Sequence, residues 1–171
     1  MKPIQKAALL LGFSCIAWQL VMGLTGWYLH PTLLNLFWLV ILIQIAVLVW
    51  GLKKTALEGR SYWGQVGAGT QMSLYGGVII FFGSLLFTIV LFPHYFEDIR
   101  KTGEEVLRIA GKSESEIKTL LDAQAPTQTP FFSALFGFLG TVVTGFVISL
   151  IAGAFLRNKN EQAPRTKAPA A

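Results

Sequence analysis

The sequence predicts an all-α integral membrane protein, a four-helix bundle with a short extracytoplasmic helical segment between helices 3 and 4. Two observations carry this expectation. Of 171 residues, 53% are hydrophobic and only 13% charged, a balance too apolar for a soluble domain of this length. Four stretches, Ala7–Leu29, Thr32–Leu52, Gln65–Phe92 and Phe131–Leu156, contain no Asp, Glu, Lys, Arg or His and run 23, 21, 28 and 26 residues. A helix needs about 20 residues to cross roughly 30 Å of hydrocarbon, so each is long enough. None alternates as a barrel strand does, and a helix satisfies its own backbone in lipid.

The first stretch follows Lys2 and Lys6 and contains the single cysteine, Cys15. Gly12 and Phe13 do not fit a lipoprotein processing site, and the apolar run outlasts a signal-peptide core of about 7 to 15 residues. An uncleaved span is expected. One cysteine forms no internal disulfide and no cysteine metal site. Only His30 and Pro31 separate spans one and two, so a tight antiparallel hairpin is expected. The next connection carries Lys53, Lys54 and Arg60 beside Trp50, Tyr62 and Trp63, rings and cations that mark a membrane interface. Ser61 is the expected N-cap of span three, and Pro93 its break, because proline lacks the amide donor.

Residues 93–130 form the main polar segment. Phe96, Ile99, Val106 and Ile109 fall at helical spacing, with Glu97 and Asp98 placed where the helix dipole favours acids. Gly111 is a stop signal. Ser113 with Glu116 makes a capping box for a second short helix bearing Ile117, Leu120 and Leu121. Pro126 ends that helix, and Thr129 with Pro130 starts span four. Residues 1–157 thus form a single four-span domain, and 158–171 a disordered basic cytoplasmic tail.

Orientation follows from the lysines and arginines. The side holding both termini carries nine of them, and the 93–130 segment carries five against seven acids. Basic residues near span ends stay in the cytoplasm, so both termini are expected there, in a bacterial inner membrane, with the acidic segment outside.

The sharpest pattern lies in span four, where Ser133, Gly137, Thr141, Gly145, Ser149 and Gly153 recur at every fourth position. Such a stripe admits another backbone closely. Span three has a shorter version in Gly69, Ser73 and Gly77. The stripes suit packing of these two spans on each other, and the same geometry suits a homo-oligomer or the helix of another membrane protein. A pore lined by the small polar groups is a third use. Gln19, Asn35, Gln44 and Gln71 are costly polar groups within the spans and need interhelical partners. No ionisable residue stands at mid-membrane, which argues against a proton-coupled pump, and no inverted repeat is visible.

No catalytic constellation, glycine-rich phosphate loop or metal motif accompanies His30 and His94. No cofactor and no metal is expected, and no nucleic-acid motif is present, so the lipid bilayer is the one partner that the composition itself names. Glu97, Asp98, Glu104 and Glu105 read as the solvated face of a helix of mixed charge.

The layout is familiar as a whole. A short N-terminal hairpin precedes a glycine-rich third span that ends in Leu91, Phe92, Pro93, His94, Tyr95 and Phe96. An acidic helical loop with Gly111, Lys112, Ser113, Glu114, Ser115 and Glu116 follows, then a final span with Phe146, Val147, Ile148, Ser149, Leu150 and Ile151. This order resembles the bacterial domain-of-unknown-function 4199 family over nearly the whole chain. The resemblance implies a multi-pass membrane protein and carries over no catalytic residues. The expected role is non-enzymatic, structural or partner-binding, with a small transporter or channel subunit as the alternative.

Overall fold

In the computed structural model, which describes residues 1–156, every regular element is helical. Helix α1, Pro3–Thr25, ends at Gly26, whose φ of +68° places it in the left-handed region. Glycine reaches that region without a Cβ penalty. The chain then makes a 3₁₀ turn, Trp27–Leu29, and a second, Leu33–Trp38, before α2, Leu39–Ala56. The two-residue hairpin expected at His30 and Pro31 is therefore a longer irregular connection. Its cause is local: Gly26 stops α1 four residues before Leu29, and Pro31 pushes His30 into extended backbone, because the proline ring clashes with a helical residue before it.

Helix α3, Tyr62–Leu86, starts at Ser61, whose Oγ accepts from the Gly64 amide at 3.3 Å. Its last turn, Phe87–Leu91, widens to a π-helix in which the Phe92 amide donates to the Phe87 carbonyl at 2.8 Å. Phe92 then leaves helical backbone with φ −133°. The break at Pro93 is thus prepared one turn earlier, where the wider turn lets the chain swing aside before the missing amide is reached.

Helices α4, Tyr95–Ile109, and α5, Glu114–Gln124, form a hairpin turned at Gly111, with φ +78°. Ile117 and Leu121 are buried, and Arg100 reaches Asp122 at 2.9 Å while Arg108 reaches Glu114 at 3.1 Å. Ile109, expected on one face with Phe96, Ile99 and Val106, is 72% exposed. At about 100° per residue it lies roughly 140° around the helix from Phe96. Helix α6, Pro130–Leu156, completes the fold; the expected tail, 158–171, lies outside the described residues.

The long helices pack as a rhombus in cross-section. α2 and α3 face each other across the short diagonal, α1 touches both, and α6 touches both from the other side, while α1 and α6 make no extensive contact among the described residues. Leu11, Leu48, Leu52 and Met72 fill the centre without exposure. The periphery is also apolar: Phe13, Leu42, Phe82, Val143 and Ile151 all point outward. A water-soluble bundle does not surround itself with such a surface. All four long helices, Pro3–Thr25, Leu33–Ala56, Tyr62–Leu91 and Pro130–Leu156, are long and apolar enough to cross a membrane.

Candidate functional site

The small-residue stripe of α6 faces α3 of the same chain. The two helices run antiparallel, and the contacts are reciprocal: a Cβ added at Gly145 would fall on the Ser73 hydroxyl, and one added at Gly69 would fall on the Ser149 hydroxyl. A Cβ at Gly77 would stand 2.9 Å from the Phe138 ring, and one at Gly153 would stand 3.4 Å from the Gln65 Cβ. Gly137 has looser surroundings, with Ile80 3.8 Å from such a Cβ. Thr141 is buried and donates to the Gly137 carbonyl at 2.8 Å, whereas Ser133 is half-buried at the α5 end of the helix. Ser73 donates to the Gly69 carbonyl at 3.0 Å and Ser149 to the Gly145 carbonyl at 2.5 Å. Each of these hydroxyls is satisfied on its own helix, so the centre of the seam is held by close backbone approach, and a hydrogen bond from Tyr62 Oη to the Leu150 carbonyl at 3.4 Å joins the two helices near the start of α3.

The polar groups within the spans meet different fates. Gln19 Oε1 accepts from Ser84 Oγ at 3.1 Å, which joins α1 to α3. Gln44 is buried, but its Oε1 has no partner among the described residues. Gln71 is exposed on the outer face of α3, so the interhelical bond expected for it does not form. Asn35 is exposed in the second 3₁₀ turn. The strongest buried polar link involves a residue that periodicity did not single out, Gln65, whose Oε1 lies 2.8 Å from Thr55 Oγ1. Both are fully buried. They tie the end of α2 to the start of α3 across the basic connection.

A cavity of about 260 Å³ lies at the end of the bundle that carries α4 and α5. Met22, Leu34, Phe37, Trp38 and Phe87 supply much of its apolar wall, Gln19 and Asn35 contribute amides, and Tyr95 and Ile99 of α4 close it over. Aromatic packing fixes the closure. Tyr95 stands 5.2 Å from Tyr28 and 5.4 Å from Phe87 between ring centroids, and Phe87 stands 4.5 Å from Phe92. Tyr28 Oη donates to Asp98 Oδ2 at 3.3 Å and so links the turn after α1 to α4. Burial pushes the Tyr95 phenol up to about 12, with the Tyr28 charge adding to it. Burial and the Asp98 carboxylate also raise Tyr28. Both phenols keep their protons at neutral pH.

Pro93 stands where α3 hands over to this end, and the run Phe92, Pro93, His94, Tyr95 acquires a definite task there: it turns the chain so that Tyr95 lands on Phe87. Sequence spacing pointed to the turn but gave no sign of the cavity, because Gln19, Tyr28, Trp38 and Tyr95 come from four different elements. His94 pairs with Glu97 at 3.5 Å on an exposed surface, and His30 is exposed on the connection between α1 and α2. Among the described residues no three His, Cys, Asp or Glu side chains come together in a way that would hold a metal ion.

No curated protein and no solved structure matches the chain. Residues 6–158 match a protein family described as "Protein of unknown function (DUF4199)", nearly the whole length of the bundle just described. The chain belongs to the DUF4199 family.

Proposed function

We propose that this protein is a non-enzymatic component of a bacterial inner membrane, a four-helix scaffold that presents the α4–α5 hairpin to another protein outside the cytoplasm. Both termini are cytoplasmic in this reading, which the excess of lysine and arginine at that end supports. The observation that carries the proposal is the hairpin. It is internally ordered by the Ser113 and Glu116 capping box and by the Arg100 to Asp122 and Arg108 to Glu114 ion pairs. Its extensive contacts are with α5's own following turn and with the Trp27–Leu29 turn, so most of its surface is left outward. Ile109 and Leu120 are exposed on it amid charged neighbours. Apolar residues ringed by polar ones follow the core-and-rim layout of a protein contact.

The intramolecular seam supports a scaffold role. With the α6 stripe engaged by α3, a partner meets the hairpin instead of the stripe. The test is a cross-linked pull-down of tagged full-length protein from native membranes, with wild type beside an Ile109→Asp, Leu120→Asp double variant that spares the buried Ile117 and Leu121 and whose thermal midpoint is measured alongside. A partner recovered with wild type and lost with the variant supports the reading. A second copy of the chain recovered in that way makes the partner the protein itself. Recovery of the protein alone from both samples removes it.

A further inference from the structure

The cavity beneath Tyr95 has the features of a ligand site, a mainly apolar wall with a few convergent polar groups. Its roughly 260 Å³ is several times the volume of about 30 Å³ that one water occupies in the liquid. A wall with two amides and two phenols cannot hold that much water in place, since each buried water needs two to four polar partners. No Lys, Arg or His lines it, and both phenols keep their protons, so an anionic ligand would find no counter-charge. Burying an unpaired anion there is costly.

The polar groups define what a ligand must offer. Gln19 lines the cavity and its Oε1 already accepts from Ser84, while its Nε2–H donors and the exposed side chain of Asn35, which also lines the cavity, have no hydrogen-bond partner among the described residues. Free N–H donors call for an uncharged acceptor oxygen, of which a carbonyl is the simplest that carries no competing donor. Phe37 and Trp38 both line the cavity and are 42% and 64% exposed, so its mouth lies beside them, where the 3₁₀ turn leads into α2. Aromatic rings at that position belong to the headgroup layer, and the mouth therefore opens toward the bilayer and not toward bulk water.

We propose that this cavity binds the neutral, carbonyl-bearing head of a membrane amphiphile. Gln19 Nε2 and the Asn35 amide donate to the carbonyl, the rings of Trp38, Phe87 and Tyr95 enclose the head, and the tail leaves past Phe37 along the apolar outside of the bundle. A quinone ring and a glyceride ester both carry this chemistry. The proposal is independent of the partner assigned to the hairpin.

The test measures saturable binding to the purified full chain in micelles of a carbonyl-free detergent. The probes are a decyl-substituted benzoquinone and dioctanoylglycerol, with the anion decyl sulfate as the charged control. At least one neutral probe is expected to saturate, and the control is not. Leu34→Trp, which fills the cavity, should abolish binding. Asn35→Leu should weaken it about tenfold, and because Asn35 has no partner to lose within the chain, this variant keeps its fold. Gln19→Leu should do the same, with its thermal midpoint measured to separate loss of the Ser84 bond from loss of the ligand. Saturation by the quinone alone assigns a ring, by the glyceride alone an ester, and by both the carbonyl itself. The proposal is overturned if neither neutral probe saturates, if the charged control binds equally well, or if Leu34→Trp and Asn35→Leu leave affinity unchanged.

Discussion

Gly145 and Ser73, with their mirror pair Gly69 and Ser149, decide how closely α3 and α6 approach. Each glycine receives a serine from the other helix, and neither site has room for one further carbon. The serine hydroxyls turn back to carbonyls of their own helices, so at these two pairs shape and not hydrogen bonding specifies the register. Overpacking a closed seam of this kind typically costs about 1 to 3 kcal/mol. Gly145→Ala is therefore expected to destabilise the protein by that amount in reversible unfolding from mixed micelles. Ser73→Gly in the same chain should restore most of the loss, because the added methyl then enters the space the serine vacates. A Gly145→Ala protein as stable as wild type would mean that the seam is loose, and a double variant no better than the single would mean that the cost arises elsewhere. The four-residue repeat drifts about 40° per step on a helix of 3.6 residues per turn, so it pointed to Thr141, Gly145, Ser149 and Gly153, which are buried within about 120° of one another, while Ser133 lies farther around α6. The buried Gln65 with Thr55 was not legible. Nothing in local spacing shows that the ends of α2 and α3 meet, and only the length of the connection between them brings the two side chains together.

At the scale of elements, helix starts were more legible than helix stops. Ser61 and the Ser113 and Glu116 box act through bonds within one turn, so their chemistry is contained in four consecutive residues. The ends of α1 and α3 depend on Gly26 and on a π-turn whose Phe87 and Phe92 rings pack against Gly23, far away in the chain. The cap of α5 carries a prediction of its own. Hydrogen bonds from the Ser113 amide and hydroxyl, and then Lys112, hold the Glu116 carboxyl below its ordinary value of 4.5. A group with a lowered folded value contributes stability above its unfolded value, and that contribution is lost as pH falls through the folded one. Amide exchange at Ser113 and Glu116 should accordingly quicken, relative to the intrinsic rate, as pH drops below about 4.5, while the α3–α6 seam stays protected. Glu116→Gln keeps a capping partner without a titrating proton and should remove the pH dependence. An identical acid response in wild type and variant would place its origin in another group.

At the scale of the whole molecule, the four helices long and apolar enough to cross a membrane were legible, because length and polarity are properties of each helix separately. The rhombic arrangement was not, because α3 has glycines on more than one face and offers close approach to α1 as well as α6: Gly83 meets Ile16 on one side while Gly69 meets Ser149 on another. The cavity was hidden for the same reason, being a product of four elements meeting at one end. The apolar periphery permits a test of the bilayer as the surrounding solvent. Phe131, Val143 and Phe155 all point outward from α6, at 56%, 61% and 80% exposure, and stand roughly 18 Å apart along the axis at 1.5 Å per residue. In water, lysine at any of the three would be harmless. In a bilayer, lysine at the central position costs about 2.5 to 3.5 kcal/mol on insertion scales, and the cost falls toward either end, where the long side chain reaches the interface. Translocon-mediated insertion of α6 should therefore show a peak in cost at Val143→Lys, flanked by small costs at Phe131→Lys and Phe155→Lys. A flat profile across the three would be incompatible with α6 crossing the membrane, and the reading of the whole bundle as a spanning unit would fall with it.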